Sequence, residues 1–333
     1  MISIGIIGAG GIAQAHAGAI RAIGVDRCRL DVVYDPNAET LSAFCGQFAD
    51  LGAHPAASAD ELFARPLDAV IICTPNHVHS LYVRRAAERK LAVLCEKPAA
   101  NTLQAAHDMA QAAALAGVVT MVGFTNRYQP GIRKLRHAMD AGLLGTIYAY
   151  RELSSGARLV NPSIGLEWRM RDWDAGGGAV ADFGVHSLDM ATWLLGDSCG
   201  PLHSLTGMLA TFVKRAGNYP QNDDLSVVTG RFASGAIASL MDSRVGPGLY
   251  QVDVMGSLGH AHFDLRKNAE LDIHLYQSPG KSPALPDVTI ANPFEAQLAT
   301  FLDAIAAGRP VEPDLIRAYE IQRLIERVRD HAV

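Results

Sequence analysis

The sequence predicts an α/β protein with a doubly wound parallel sheet of the Rossmann type at its amino end. A second α/β domain with a largely antiparallel open sheet is expected to follow it. Three observations carry this reading. In the first third, short apolar runs alternate with helical stretches, and the runs are nearly continuous, as in strands covered on both faces by helices. The first of these runs leads straight into a glycine-rich turn. Near residue 123 the alternation gives way to strand-like segments joined by Gly, Pro and Asn.

The buried strands of the first domain are expected at Ile2–Ile7, Leu30–Tyr34, Ala69–Cys73, Ala92–Cys95 and Val119–Gly123. Ile12–Ala22, Ala38–Phe48, Ser58–Ala64, Ser80–Glu88 and Leu103–Ala116 lie between them with helical character. Strand and helix in strict alternation mean βαβ units and a parallel sheet. The domain is placed at residues 1–122 and its successor at residues 123–333.

In the second domain a helix is expected at Arg133–Ala141. Strands follow at Thr146–Ser154, Leu205–Val213, Ser226–Ala233, Ala236–Ser243, Tyr250–Met255, His260–Asp264 and Glu270–Tyr276. Within Ile147–Leu153 the odd positions Ile147, Ala149 and Leu153 are apolar and Arg151 is the exception. That alternation predicts an antiparallel sheet with a core-facing side. A helical pattern runs from the Gly176-Gly177-Gly178 triplet to Gly196, a natural stop. Two more helices close the chain at Pro293–Ala307 and Asp314–His331.

Composition narrows the function classes. Hydrophobic residues make up 49% of the 333 and charged residues 19%, enough apolar material to build a sizeable core. A net charge of −5 with no run of Lys or Arg argues against a nucleic-acid partner. No stretch of about 18 apolar residues is present, so no membrane span is expected. The apolar start, Met1 to Ile23, lacks a basic region and is broken by Gly8, Gly10 and Gly11, so it reads as strand and turn rather than signal peptide. The five cysteines are scattered and odd in number, which suggests a reducing cytoplasm and neither a disulfide framework nor a zinc site.

Gly8-Ala9-Gly10-Gly11-Ile12-Ala13 fits the dinucleotide fingerprint G-x-G-x-x-G/A and stands between a strand and a helix, as the motif requires. Gly8 permits the tight turn, and Gly10 lets the backbone approach a pyrophosphate favoured by the helix amino end. Asp35 ends the second strand, where an acidic residue accepts hydrogen bonds from the adenosine ribose. It would also repel a 2′-phosphate. Two unit charges about 4 Å apart cost up to roughly 4 kcal/mol at an effective dielectric near 20. That is close to a thousandfold in affinity, so NAD is expected over NADP. The alternative is a plain turn or helix-capping Asp.

Leu94-Cys95-Glu96-Lys97-Pro98 puts a lysine at the carboxyl end of a buried strand, the edge where open α/β sheets bind ligands. Such a lysine can donate to a substrate oxygen, although a solvated surface charge is the commoner reading. Asp182 and His186 lie four apart after the glycine triplet, so on a continuous helix they share a face, with Asp189 nearby. They could be a helix-stabilising pair and nothing more.

Together these residues resemble the glucose–fructose oxidoreductase and inositol dehydrogenase family (Gfo/Idh/MocA). The glycine motif, the Glu96-Lys97-Pro98 tripeptide and the Asp182-x-x-x-His186 pair after a glycine run occur in that family's order. Thr74-Pro75-Asn76-His77-Val78-His79 and Asn126-Arg127-Tyr128 add to the likeness, which extends over essentially the whole chain. The resemblance implies Lys97, Asp182 and His186 as the catalytic residues. In that role Lys97 would stabilise charge on the substrate oxygen, Asp182 would bind a neighbouring hydroxyl, and either His186 or Lys97 would handle the proton.

It also implies that Thr74, Pro75, Asn76 and His79 line the nicotinamide end, with Gly11, Ile12, Glu96, Lys97, Arg127, Trp168 and Arg169 among the cofactor contacts. Asn76 could equally cap a helix, and Trp168-Arg169 could be a packed surface loop. His77 and His79 are two apart with no third ligand in view, so no metal is expected.

The function implied is NAD-dependent hydride transfer at a secondary hydroxyl of a sugar, inositol or related polyol, in a cytoplasmic homodimer or homotetramer. Lys97 would come from one domain and Asp182 and His186 from the other, with the glycine triplet at the cleft. Two rivals are redox-assisted glycoside cleavage with retained NAD and a nucleotide-sensing regulator without turnover.

Overall fold

The computed structural model describes residues 1–161, 163–165, 167–214, 222–266, 270–280, 283–290 and 292–332. The chain divides into two compact units, Met1–Thr125 with Asn292–Glu320, and Asn126–Ala291 with Ile321–Val333.

The first unit holds six parallel strands: β1 (Ile2–Ile7), β2 (Cys28–Tyr34), β3 (His54–Pro55), β4 (Ala69–Ile72), β5 (Ala92–Cys95) and β6 (Thr120–Val122). Their order is β3-β2-β1-β4-β5-β6, so the direction of winding reverses between β1 and β4. The crevice at such a reversal is where open α/β sheets bind ligands. Helices α1 (Gly11–Ile23), α2 (Ala38–Gln47), α3 (Ala59–Ala64), α4 (His79–Glu88) and α5 (Leu103–Ala116) connect the strands.

Local chemistry sets the helix starts. Asn37, Ser58 and Thr102 each accept a backbone N–H with the side chain and cap α2, α3 and α5. All four residues of β4 and all four of β5 are buried, as the unbroken apolar runs require. The sequence reading did not include β3. It is two residues long, exposed and contains a proline, which suits an edge and leaves no periodic signal.

The second unit begins with α6 (Pro130–Asp140) and β7 (Ile147–Ser155). Two short helices, α7 (Asp172–Ala175) and α8 (Ala179–Asp182), precede the long α9 (Gly184–Cys199). Six strands follow: β8 (Leu202–Ala210), β9 (Leu225–Phe232), β10 (Ile237–Ser243), β11 (Leu249–Gly256), β12 (Gly259–Asp264) and β13 (Leu271–Leu275). The sheet order is β13-β12-β11-β7-β10-β9-β8, with β7 and β10 parallel and every other neighbour antiparallel. Helix α9 packs on β7 and β10.

Two local expectations are corrected here. On β7 the buried row is not the apolar odd row beyond its first member: Ile147 is buried, but Tyr150, Glu152 and Ser154 are buried next, while Ala149 and Leu153 are half-buried and Arg151 is exposed. A polar network occupies the covered face, so polarity along this strand does not track burial. The single helix expected between the glycine triplet and Gly196 is two helices. They break at Phe183, whose carbonyl accepts from the His186 N–H only three residues on, at 2.9 Å. Helix α9 then continues past Gly196 to Cys199 and ends at Gly200, whose φ of 73° a side chain would disfavour.

The chain closes with α10 (Pro293–Ala307) and α11 (Leu315–Asp330), and the division between units falls within α11 at 320/321. The expected partition assigned everything after residue 122 to the second domain, whereas Asn292–Glu320 groups with the first. Leu298, Phe301 and Leu302 of α10 join the same apolar core as Ile4, Ile20 and Leu94. Gln297 Nε2 donates to the Val122 carbonyl at 3.0 Å, and the Pro313 carbonyl accepts from the Val122 N–H at 2.7 Å. No helix among the described residues is long and apolar enough to cross a membrane.

Phe301 is fully buried in the first unit's core. Phe301→Ala should therefore lower unfolding free energy by about 3–5 kcal/mol, the usual cost of emptying a core phenylalanine site. Urea titration followed by circular dichroism measures this. A change under about 1 kcal/mol would mean that α10 is peripheral to that core.

Candidate active site

The glycine turn sits at the end of β1. Gly8 has a φ of +91°, and a Cβ there would lie 2.8 Å from the Cys73 carbonyl group and 2.9 Å from the Thr74 nitrogen. No side chain fits, so β1 and the loop after β4 approach each other through this residue. Gly10 and Gly11 differ from it. A Cβ on either meets nothing within 4 Å, and both are exposed. Packing does not explain them, but a ligand drawn against the backbone would.

Helix α1 starts directly at Gly11, with no side-chain cap and no acidic residue in its first turn. Its leading N–H groups and the positive end of its dipole face outward together, a site suited to an anion. Ile12, half-buried, is in that first turn.

Asp35 ties the next strand end to the turn. Its Oδ2 accepts from the Ala9 N–H and its Oδ1 from the Asn37 N–H, both at 2.8 Å. Asn37, not Asp35, caps α2, so the capping alternative for Asp35 is not what the fold uses. Each carboxylate oxygen retains a lone pair for a further donor. Thr74 Oγ1 is buried and has no hydrogen-bond partner among the described residues. An open helix end, a fixed acid and a hydroxyl lacking a partner fit a dinucleotide.

His79 is fully buried rather than facing outward. Its Nε2 lies 2.8 Å from the Thr74 carbonyl and its Nδ1 3.1 Å from the carbonyls of Pro98 and Ala99. The ring thus clamps the loop after β4 to the loop after β5. Burial pushes its pKa down, against the pull of the carbonyls. Asn76 is buried, Thr74 and Pro75 are half-buried, and the 3₁₀ turn Asn76–Val78 precedes α4.

Glu96 follows β5 and is buried, with His16 Nε2 of α1 at 2.8 Å from its Oε1. The Lys97 N–H donates to its Oε2 at 3.2 Å. Burial pushes the Glu96 pKa up, but the hydrogen bond and charge of His16, with Lys97, bring it below its ordinary value. A Cβ on Gly123 would come within 2.7 Å of this carboxylate, so that glycine makes room for it. Glu96 therefore links α1, through His16, to the half-buried Lys97.

In the second unit, Asp182 ends α8 and His186 lies in the first turn of α9, on either side of the Phe183 break. The short helix α8 is held from behind. Asp223 Oδ1 accepts from the Gly178 N–H at 3.0 Å and its Oδ2 from the Val180 N–H at 2.9 Å. A Cβ on Gly178 would lie 2.0 Å from the Asp223 carbonyl oxygen, so this glycine cannot be replaced without moving the loop.

Arg244 and Asn222, both buried, join the neighbouring segments. Arg244 Nη1 donates to the Arg169 carbonyl at 2.8 Å and its Nη2 to Asn222 Oδ1 at 2.8 Å. Asn222 Nδ2 donates to the Gly177 carbonyl at 3.0 Å. The guanidinium of Arg169 itself stacks over the Trp168 ring at 4.3 Å. Arg127 is buried, and its guanidinium forks onto Asp189 of α9 at 2.7 and 2.6 Å.

The first unit thus draws together Gly8, Asp35, Thr74, His79 and the Glu96–Pro98 loop through direct contacts. In the second, Asn222 and Arg244 tie the glycine triplet to the Trp168–Arg169 segment, and Asp182 and His186 follow the triplet on α8 and α9. Sequence reading missed His16, Asp223, Asn222 and Arg244. The one signal available for any of them was the polar run Asn222-Asp223-Asp224 ahead of a strand. Among the described residues, no group of three or more His, Cys, Asp or Glu side chains is disposed to hold a metal ion.

Comparison with known proteins places these features. Residues 2–124 match the Gfo/Idh/MocA oxidoreductase family, described by its NAD-binding Rossmann fold, and residues 132–262 match that family's C-terminal domain. The chain is 28% identical to an inositol 2-dehydrogenase of Rhizobium meliloti, over 94% of this chain and 91% of that one. It is 30% identical to a glucose-6-phosphate 3-dehydrogenase of Bacillus subtilis, over 73% of this chain and 68% of that one. Its fold is similar to that of a levoglucosan dehydrogenase solved with NADH and L-sorbose, with a TM-score of 0.90, 23% identity and coverage of 99% and 96%.

The Asp35 carboxylate is already fixed by two backbone donors. NAD should bind at least tenfold more tightly than NADP, and Asp35→Ala should narrow that ratio by removing the repulsion of a 2′-phosphate. Titration of both cofactors by intrinsic fluorescence reads this directly. Equal affinities in the unmodified protein would refute it.

Proposed function

The chain belongs to the Gfo/Idh/MocA oxidoreductase family, whose first domain is an NAD-binding Rossmann fold, and from that we propose that it is an NAD-dependent dehydrogenase of a sugar, inositol or related polyol. The observation that carries the reading is the uncapped, exposed start of α1 beside Asp35, at the reversal of a β3-β2-β1-β4-β5-β6 sheet. Relatives acting on inositol and on glucose 6-phosphate support the substrate class.

In this reading Lys97, Asp182 and His186 are the catalytic residues. NAD supplies the hydride acceptor. Oxidising a secondary alcohol also requires a base for the hydroxyl proton, and the His186 imidazole is the group suited to that near neutrality. The Lys97 ammonium would stabilise negative charge as it develops on the same oxygen. Asp182 would accept a hydrogen bond from the neighbouring hydroxyl and so fix which carbon is presented. Glu96 would act through its hold on the Lys97 backbone, and His79 by clamping the two loops, rather than as direct contacts. Arg127, Trp168 and Arg169 would border the cofactor and substrate.

We also infer a homodimer or homotetramer. Ala149, Leu153, Met241 and Met255 share one half-buried or exposed face of the second sheet with the Arg151–Asp253 ion pair among them, a mixed apolar and charged face suited to a second copy. The five free cysteines fit a reducing cytoplasm.

A screen of sugars and cyclitols at 340 nm with NAD identifies the substrate, and absence of NADH release with every polyol would overturn the reading. On the substrate found, Lys97→Ala and His186→Ala should each lower kcat by about 10²–10⁴-fold while NAD affinity stays within a few-fold. The double mutant should lose far less than the product of the two, since groups acting as a unit are non-additive. With His186 as base, kcat/KM for oxidation should fall as pH drops and the imidazole takes up a proton. A His186→Ala enzyme with near-normal kcat would remove His186 from the chemistry.

A further inference from the structure

Beneath the start of α9 the second sheet buries two carboxyl groups. Leu240 of β10 stands opposite Glu152 of β7, and Asp242 stands opposite Ser154, so Glu152 and Asp242 share a face one step apart. They are 1% and 0% exposed. Ser187, the residue after His186, places its hydroxyl between them. Its Oγ is 3.0 Å from Glu152 Oε1 and 2.6 Å from Asp242 Oδ1. From the other side the Tyr150 hydroxyl donates to Glu152 Oε2 at 2.5 Å.

Counting protons decides the state of this group. A serine hydroxyl carries one hydrogen. With both carboxylates ionised, Ser187 could donate to only one and would face the other with lone pairs. Two like charges out of water would add to the cost. A single added proton resolves both problems. Asp242 O–H then donates to Ser187, Ser187 to Glu152 Oε1, and Tyr150 to Glu152 Oε2. The same chain runs in reverse with the proton on Glu152.

The surroundings favour retention of that proton. Burial pushes Glu152 up to about 7, against the hydrogen bonds of Tyr150 and Ser187, with Asp189 of α9 adding to the rise. Burial pushes Asp242 well above its ordinary value, opposed by Ser187 and reinforced by Glu152 and Asp223. Tyr250 of β11 faces the same carboxyls, and the Arg127 guanidinium is committed to Asp189. Asp242 Oδ2 has no hydrogen-bond partner among the described residues. It lies 3.1 Å from where a Cβ on Gly184 would stand, so the carboxyl and the first residue of α9 are close-packed.

We propose that Glu152, Ser187 and Asp242 form a shared-proton bridge that fixes the first turn of α9 to the sheet and so positions His186. They are positioning residues, and the proposal rests on the reading of His186 as the catalytic base. With the proton in place, the turn carrying His186 is pinned from directly behind. Loss of the proton at alkaline pH sets two charges against one hydroxyl and releases the turn. The expected kcat profile for alcohol oxidation therefore has an alkaline limb that belongs to the bridge rather than to a group touching substrate.

Asp242→Asn separates this from a plain packing role. Its amide donates to Ser187 permanently, as the protonated acid does. The variant should retain most of kcat at its optimum and lose the alkaline limb. Ser187→Ala removes the bridge and should lower kcat about 10–100-fold, the scale of a misplaced catalytic group, while NAD affinity is unchanged. An alkaline limb unmoved in Asp242→Asn, or a normal kcat and pH profile in Ser187→Ala, overturns the proposal.

Urea unfolding across pH reads the proton without reference to catalysis. An acid whose pKa is raised on folding holds a proton that the unfolded chain releases above about pH 4. Stability then falls as pH rises from there to about 7. Asp242→Asn should flatten that fall, and an unchanged slope overturns the shared proton. If the slope flattens but His186→Ala remains active, the catalytic reading has failed and the positioning role falls with it, while the proton itself stands.

Discussion

A carboxylate removed from water must be neutralised or met by donors, and this chain buries five carboxylates beside the segments that carry its candidate residues. Glu96 meets His16 and the Lys97 N–H. Asp189 meets Arg127. Asp223 meets the leading N–H groups of α8. Glu152 and Asp242 meet Ser187. Each of these pairs is expensive to break, because removing one partner leaves the other desolvated and unmatched, at roughly 3–5 kcal/mol for the Arg127–Asp189 ion pair and about 1–3 kcal/mol for a hydrogen-bonding group. The backbone positions of Lys97, of the α8 start and of the α9 start are thereby determined more tightly than apolar packing alone would hold them.

The glycines follow from the same close approaches. Gly8 lets β1 meet the loop after β4, Gly123 leaves space for Glu96, and Gly178 leaves space for Asp223. Gly10 and Gly11, at the open end of α1, differ from these three: a Cβ on either would meet no protein atom within 4 Å. What a Cβ would meet thus identifies the glycines that packing demands, and leaves Gly10 and Gly11 to the open helix end beside them.

This division also explains what could be read from the sequence. The parallel sheet, its helices and the dinucleotide turn are local: each depends on a run of ten to fifteen residues whose pattern is visible in one window. The residues that organise the second unit are not local. Ser187 lies 35 residues from Glu152 and 55 from Asp242, and Asp223 caps a helix 43 residues away. On β7 the apolar row pointed to the wrong face, because Tyr150, Glu152 and Ser154 are buried for their partners rather than for their polarity. The Asp182–His186 spacing was visible, but the break at Phe183 was not read, because its one signal, Gly184, is also tolerated inside a continuous helix. Asn292–Glu320 could be recognised as helical but not as part of the first unit's core, because a helix pattern does not name its partner.

The polar face of β7 carries a further consequence for how such a site can vary. An apolar residue in place of Glu152 alone would leave the Tyr150 hydroxyl without its acceptor, and an apolar residue in place of Ser187 would leave two acids without the hydroxyl between them. Change at one member is therefore felt by the others, since the members of a buried network do not contribute independently. By contrast, Trp168 and Arg169 stack on each other and are half-buried, held to the unit through the Arg169 backbone carbonyl. Their side chains can be exchanged without disturbing the bonds that position the segment. On the proposed reading, in which these side chains border the substrate, preference would shift there while the network under α9, and with it the placement of His186, stays fixed.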